Sequence, residues 1–250
     1  MIPKTIHYCW FGNKQKSQIF SECLTSWKKY CPDYKIIEWN EINSEQFSNK
    51  FYKNALRKKK YAFAADYIRL KVLHVYGGIY LDTDMLIVKP LGNLLKYNFF
   101  SGLEVKDRVA YGFLGGYKEN HFFKRMIDFY NHTEFDEFNP PIITHTFKNL
   151  INSNNLKENE VLLSPEYFYP LTFQNREKDY KLFVTEKTYA VHLWDHSWKI
   201  ETKKGYSSIF NQMRGILLDF FIYGYSFEYF LKYSKEFLLN LYRMLKYKQY

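Results

Sequence analysis

Cysteine is scarce in this 250-residue chain: Cys9, Cys23 and Cys31 are the only three, all near the N-terminus. Their odd number and the lack of any C-x-x-C spacing exclude a disulfide framework, so reduced thiols are expected. Long apolar runs are missing too. The opening Met-Ile-Pro-Lys-Thr-Ile-His has no apolar core of a signal peptide, which makes the cytoplasm the expected location. The most apolar stretch, Ile216 to Leu231, carries Asp219 and Glu228 and falls short of the roughly 20 apolar residues that a membrane span needs. No Gly/Ser-rich or Pro-rich linker divides the chain, and no segment repeats. Nor is there a dense basic block. Arg57-Lys-Lys-Lys60 is the longest such run and reads as the solvated start of a helix.

What is abundant is positive charge and aromatic surface. The net charge is +10, with 24 Tyr and 23 Phe. Such a chain suits anionic partners, and without a basic arm a nucleotide diphosphate or an anionic lipid is favoured over nucleic acid.

Hydrophobic periodicity alternates strands with helices. Strands are expected at Ile2–Phe11, Tyr34–Trp39, Ile79–Leu81 (continued by Met85–Val88), Phe99–Leu103, Ala110–Leu114, Val161–Leu163 and Ala190–Trp194. Helices are expected at Ile19–Tyr30, Ile42–Leu56, Lys59–Tyr76, Asn120–Asn131 and Thr144–Ile151, the third closed by Gly77-Gly78. This is an α/β pattern with a mostly parallel central sheet, in which ligands bind at the carboxyl ends of the strands.

Four segments bring chemistry to such a site. The most informative is Val75-Tyr-Gly-Gly-Ile-Tyr-Leu-Asp-Thr-Asp-Met85. Strand side chains alternate faces, so Asp82 and Asp84 are expected to project from one side at the strand's end. Two carboxylates so placed can share a hard divalent cation whose shell is completed by water and phosphate oxygens. A D-x-D alone is common in surface turns, but such turns rarely follow a run as apolar as Gly-Gly-Ile-Tyr-Leu. In Phe63-Ala-Ala-Asp-Tyr-Ile-Arg-Leu70, Asp66 and Arg69 share a helix face and can converge on one ligand. Ile2-Pro-Lys-Thr-Ile-His-Tyr-Cys-Trp-Phe-Gly12 ends a strand in aromatics. Val191-His-Leu-Trp-Asp-His-Ser-Trp198 gathers imidazoles, a hydroxyl and indoles at a strand end.

Taken together, Ile-Pro-Lys-Thr-Ile-His-x-x-Trp, Ala-Asp-x-x-Arg-x-x-x-Leu-x-x-x-Gly-Gly-Ile-Tyr-Leu-Asp-x-Asp and the late His…Ser-Trp resemble glycosyltransferase family 32. That family includes bacterial capsule and surface-polysaccharide transferases and the yeast initiating mannosyltransferase. The glucosylating domain of the large clostridial toxins is more distantly similar. The resemblance spans roughly residues 1–200. It implies a GT-A-type domain and retaining transfer of a hexose or N-acetylhexosamine from a nucleotide-diphosphate sugar, with Mn2+ or Mg2+ and with UDP favoured as the nucleotide. It also implies roles for single residues. Trp10 would stack on the base, Asp66 would accept from donor-sugar hydroxyls, and Arg69 would reach the sugar and phosphate side. Asp84 would ligate the metal directly, while Asp82 would hold the metal or the ribose. His192 matches a late metal- or phosphate-binding position, and Ser197 with Trp198 would contact the departing diphosphate. Because the late motif here reads His-Leu-Trp-Asp-His-Ser-Trp, Asp195 and His196 stand beside His192 as alternatives for the metal. The acceptor would be a saccharide, free or lipid-linked. Glu104 and Asp107 lie toward the acceptor side and read as surface carboxylates.

The domain boundary is expected at residue 204. Residues 205–250 are aromatic and basic, suited to an amphipathic helix or hairpin on an anionic membrane surface or in an oligomer contact. Two other readings were weighed. A dehalogenase-like phosphotransferase wants threonine two residues after the second aspartate, where this chain has Leu86. A non-catalytic membrane- or carbohydrate-binding protein would need neither the Asp66/Arg69 pair nor the paired aspartates.

Overall fold

The computed structural model describes residues 1–12, 14–105, 108–195, 206–222, 224–225 and 227–246. It divides into two compact units, Met1–Trp198 and Lys199–Tyr250.

In the first unit β1 (Thr5–Cys9) is followed by α1 (Gln18–Tyr30), β2 (Lys35–Trp39), α2 (Glu41–Ser44), α3 (Lys50–Arg57) and α4 (Tyr61–Tyr76). Next come β3 (Gly78–Leu81), β4 (Met85–Ile87), β5 (Phe99–Val105), β6 (Arg108–Gly116) and α5 (His121–Asn131). Short elements complete the unit: α6 (Ile143–Thr146), β7 (Glu160–Leu163), α7 (Pro165–Phe168) and β8 (Ala190–His192). Six strands form the main sheet in the order β2-β1-β3-β6-β5-β7. Five are mutually parallel, and β6 runs against its neighbours β3 and β5. This is the α/β class with a mostly parallel sheet that the periodicity indicated.

Each face of the sheet has its own core. On one side α1 presents Phe20, Cys23 and Trp27 at helical spacing, and the Trp27 indole donates to the Met85 carbonyl at 2.6 Å. Ser17 caps this helix, its Oγ accepting from the Phe20 amide. On the other side α4 and α5 pack with Tyr52, Phe122, Phe123 and Tyr130. Helix α4 is apolar nearly all round, as a helix buried between layers must be. It ends at Gly77 (φ 65°) and Gly78 (φ 109°), and a Cβ at Gly78 would stand 2.7 Å from the Thr5 carbonyl. The glycine pair therefore allows the chain to enter the sheet directly beside β1. The three cysteines are buried and unbridged; burial pushes the Cys9 thiol up to about 12, which leaves it inert.

Three expectations need correction. The helical stretch over 42–56 is broken into α2, a short 3₁₀ turn and α3, because Asn40 and Asn49 each cap a new helix start. The helix over 144–151 is the single turn α6, followed by turns. Strand β4 does not prolong β3 but leaves the main sheet to pair antiparallel with β8.

The second unit holds α8 (Tyr206–Phe221) and α9 (Phe227–Lys246), joined as a hairpin in which the Phe220 and Phe230 rings stack at 4.7 Å. Phe221, Ile222, Phe227, Leu231, Leu238 and Tyr242 are exposed. Among the described residues no helix is long and apolar enough to cross a membrane.

His7, fully buried on β1, donates from Nε2 to the Gly77 carbonyl at 2.9 Å and accepts at Nδ1 from the Trp39 indole at 3.1 Å. Burial lowers its pKa from 6.5 to about 4, against the Gly77 hydrogen bond and with help from Lys35. A folded-state pKa below the unfolded one stabilises the fold above the unfolded value, and that stability is lost as pH falls toward the folded value. Lowering the pH from 7 to 5 should therefore cost about 2 kcal/mol through this residue alone. Urea midpoints at both pH values, compared between wild type and His7→Gln, check this. An equal acid loss in both proteins would refute it.

Candidate active site

Because β1 and β3 are parallel neighbours, their carboxyl ends meet at one edge of the sheet. The chain leaves β3 at Leu81 and turns through Asp82-Thr83-Asp84, the Met85 amide donating back to the Asp82 carbonyl at 3.0 Å. The two aspartates thus sit in a tight turn rather than on a strand, and their carboxylates face different partners.

Asp82 faces Arg69. Helix α4 carries Asp66 and Arg69 one turn apart, and Arg69 Nη2 lies 2.9 Å from Asp66 Oδ1 and 3.3 Å from Asp82 Oδ1. Its Nη1 donates to the Tyr111 carbonyl at 2.6 Å, and the guanidinium lies 4.6 Å from the Tyr80 ring centre. One buried cation therefore organises two carboxylates and a carbonyl. Burial raises the Asp66 pKa to about 6, opposed by Arg69 and reinforced by Asp82. A third of the Asp82 side chain remains exposed, whereas Asp66 is nearly closed off.

Asp84 faces His192. The antiparallel pairing of β4 with β8 sets Met85 opposite His192, which brings His192 Nε2 to 3.1 Å from Asp84 Oδ2. The Leu193 amide donates to the Asp84 carbonyl at 2.9 Å and the Asp195 amide to Asp84 Oδ2 at 3.0 Å. Burial alone would depress the imidazole pKa, but the adjoining Asp84 carboxylate, with Asp82 behind it, raises it above its ordinary value.

Among the described residues no group of three or more His, Cys, Asp or Glu stands ready as a metal centre. The donors nonetheless suit a divalent cation. His192 Nε2 and Asp84 Oδ2 already stand 3.1 Å apart, and Asp82 lies in the same turn as Asp84. Carboxylates suit both Mn2+ and Mg2+, with phosphate oxygens and water filling the shell, and the imidazole favours Mn2+ of the two.

Of the two alternatives in the late motif that are described, His192 is the one whose side chain meets Asp84. The Asp195 carboxylate instead accepts from Ser17 Oγ at 2.6 Å, at the start of α1. His196, Ser197 and Trp198 lie outside the described residues, as does Asp107, and Glu104 pairs with Arg108. Trp10 is half-buried beyond β1, one face stacked on Phe20 at 5.6 Å and its indole donating to the Lys14 carbonyl. Sequence reading missed Trp194. This residue holds a left-handed φ of 59°, lays its ring 4.1 Å from that of His192 and donates to the Leu171 carbonyl. A non-glycine residue held there marks local strain at the turn that presents Asp195 to Asp84. Tyr169, edge-on to His192 at 5.7 Å, was missed as well. Tyr169 carries no sequence signal because its contact is remote along the chain, whereas Trp194 stands in the late motif and only its left-handed backbone was hidden.

Two family models match the chain: the glycosyltransferase sugar-binding region containing the DXD motif over residues 17–100, and the alpha 1,4-glycosyltransferase conserved region over residues 119–214. Glycosyltransferase sequence therefore runs through both halves of the chain. Rat lactosylceramide 4-alpha-galactosyltransferase is 32% identical over 147 residues, a match covering 52% of this chain and 40% of that protein. Human alpha-1,4-N-acetylglucosaminyltransferase is 24% identical over 186 residues, covering 68% and 50%. The chain thus spans half or less of these curated relatives. They are animal enzymes, so the similarity found is to alpha-4-glycosyltransferases and not specifically to capsule transferases. Among solved structures, the PaToxG glycosyltransferase aligns with a TM-score of 0.47 and 23% identity, over 60% of this chain and 69% of that one. The two matched regions lie on a mostly parallel α/β sheet, and the DXD motif forms the turn at the end of β3.

Proposed function

We propose that the chain is a retaining, metal-dependent glycosyltransferase that moves a hexose or N-acetylhexosamine from a UDP-sugar to a saccharide hydroxyl. The observation that carries this reading is the pairing of two charge clusters at one edge of the sheet: Asp84 with His192, and Arg69 with Asp66 and Asp82. The first offers donors for a cation, and the second offers a buried carboxylate suited to sugar hydroxyls beside a fixed positive charge.

In the reaction the anomeric C1–O bond to the diphosphate breaks and a bond from the acceptor oxygen to C1 forms. The acceptor proton passes to the departing phosphate oxygen, so no separate protein base is required. Asp84, His192 and Asp82 would hold a divalent cation, which when bound neutralises charge on the leaving diphosphate. Asp66, ionised above about pH 6, orients donor hydroxyls. Arg69, rigidly held, supplies a preorganised field at the phosphate side. Trp10 keeps one ring face for the base, and Ser197 with Trp198 would meet the diphosphate. Names of the relatives support galactosyl and N-acetylglucosaminyl transfer as the first donors to try. A role in surface-polysaccharide synthesis on the cytoplasmic side, with a lipid-linked acceptor, is part of the same proposal. So is a membrane contact: the exposed aromatics and leucines of α8 and α9 lie in a segment where Lys203, Lys204, Arg214, Lys232, Lys235, Arg243, Lys246 and Lys248 outnumber Asp219, Glu228 and Glu236.

A panel of UDP- and GDP-sugars, each with Mn2+ or with EDTA, tests the reading. One UDP-sugar should be hydrolysed only with metal, and NMR should show the first-released anomer matching the donor. The same preparation should sediment with phosphatidylglycerol vesicles and detach in high salt. Failure of every donor to bind or react would remove the transferase reading, and hydrolysis with inversion would remove its retaining part.

A further inference from the structure

Strand β6 carries three residues that β5 does not match. Ser101 stands opposite Leu114 and Gly102 opposite Ala110, so Tyr111, Gly112 and Phe113 have no counterpart in β5. This bulge lies against Arg69 and Asp82 and is held from several sides. The Tyr111 carbonyl accepts from Arg69 Nη1 at 2.6 Å and the Gly112 carbonyl from the Asp82 amide at 2.7 Å. Beneath them Ser101 Oγ donates to the Ala110 carbonyl at 2.6 Å. Bulges beside active sites serve to re-aim groups, and this one aims two carbonyls at the residues that carry the charge.

At its centre stands a residue with no side chain. A Cβ at Gly112 would lie 2.7 Å from Asp82 Oδ2 and 3.3 Å from the Tyr169 hydroxyl. The φ of Gly112 lies outside the left-handed region, so alanine could adopt this backbone. Space, and not conformation, demands glycine here. The atom that needs the space is the carboxylate oxygen of Asp82 that Arg69 does not hold.

We propose that Gly112 is a positioning residue for the donor site. Its bare Cα lets Asp82 lie against the bulge, which orients the second carboxylate oxygen for the cation or ribose of a bound sugar nucleotide. The ligand rests on the transferase reading above, while the packing claim does not. Gly112 touches no reacting atom and acts only through Asp82.

The test is a double-mutant cycle of Gly112→Ala and Asp82→Ala, read by thermal unfolding and by calorimetric binding of UDP with Mn2+. In the wild-type background Gly112→Ala should lower Tm by several degrees and weaken Mn2+–UDP binding at least about tenfold, the usual scale for residues that orient metal ligands. With Asp82 already alanine, the same change should move neither Tm nor affinity appreciably. An equal Tm loss in both backgrounds would mean the added methyl clashes elsewhere, and the proposal falls. Unchanged Tm and affinity in the wild-type background would also sink it. Should wild type fail to bind Mn2+–UDP, the sugar-nucleotide reading fails, while the thermal cycle still decides whether Gly112 makes room for Asp82.

Discussion

Asp84→Asn is expected to abolish Mn2+-dependent UDP binding and to lower transfer by about a thousandfold or more, the loss of several kcal/mol of charge stabilisation, while leaving Tm near that of wild type. The asparagine oxygen can still accept from the Asp195 amide, and the backbone carbonyl still receives the Leu193 amide, so the β4–β8 junction survives. What disappears is the negative charge. Without it the largest influence that offsets the burial of His192 is gone, leaving Asp82 and Glu104, and the His192 pKa falls. The neutral ring then remains a potential ligand, but with one carboxylate fewer beside it. Calorimetry of UDP with and without Mn2+, together with thermal melts, separates the two effects. Asparagine that binds Mn2+–UDP as tightly as aspartate would remove Asp84 from the metal role. A large drop in Tm would instead make Asp84 a structural residue of the junction.

How far the site could be read from the sequence depended on how local each contact is. The Gly77-Gly78 end of α4 and the Asp66/Arg69 spacing are set within a few residues and were legible; the Asp82/Asp84 pair was expected on one side of a strand end, whereas the turn points its carboxylates to different partners. Helix starts at Asn40 and Asn49 were overlooked because their caps interrupt a pattern whose apolar period continues through them. The departure of β4 from the main sheet was hidden for a different reason. Met85-Leu-Ile87 is apolar enough for either sheet, and the choice is made by Ala190–His192, more than 100 positions later. That pairing is also what delivers His192 to Asp84. The bulge at Tyr111–Phe113 left only a glycine in an aromatic run, and a glycine within a strand gives no indication of which neighbour requires it. Arg69 was the most instructive case. Its helical spacing from Asp66 suggested that both side chains point at a ligand. In the fold the guanidinium is only 5% exposed and its hydrogen bonds are taken by protein groups. Its effect on a ligand is therefore a fixed field, with Asp82 as the more accessible partner.

Arg69→Met should be the most damaging single change, destabilising the fold by about 3–5 kcal/mol at neutral pH, the scale for removing one partner of a buried ion pair. Methionine approximates the volume of the stem, so packing against Tyr80 is largely kept and the loss is electrostatic. Asp66 and Asp82 would then confront each other with no guanidinium between them, and the Tyr111 carbonyl would lose its donor. The pH dependence distinguishes this account from simple loss of packing. The Asp66 pKa already stands above its unfolded value of 3.8, at about 6, because burial outweighs Arg69. Taking Arg69 away removes what held it down, so it rises further. A carboxyl whose folded pKa exceeds its unfolded one favours the fold when protonated, and that contribution is lost as pH rises through the folded value. The variant should accordingly be weakest at about pH 8 and recover part of its deficit at about pH 5, where Asp66 binds its proton in the folded state. Urea unfolding of wild type and variant at both pH values measures the recovery. Arg69→Lys makes a useful companion, since one ammonium cannot reach both carboxylates and the Tyr111 carbonyl in the planar fork that arginine provides. It should fall between the two in stability and still lose most activity. A deficit in Arg69→Met that is the same at both pH values would mean the carboxylates do not depend on this cation, and the shared field that the catalytic reading draws from Arg69 would lose its basis.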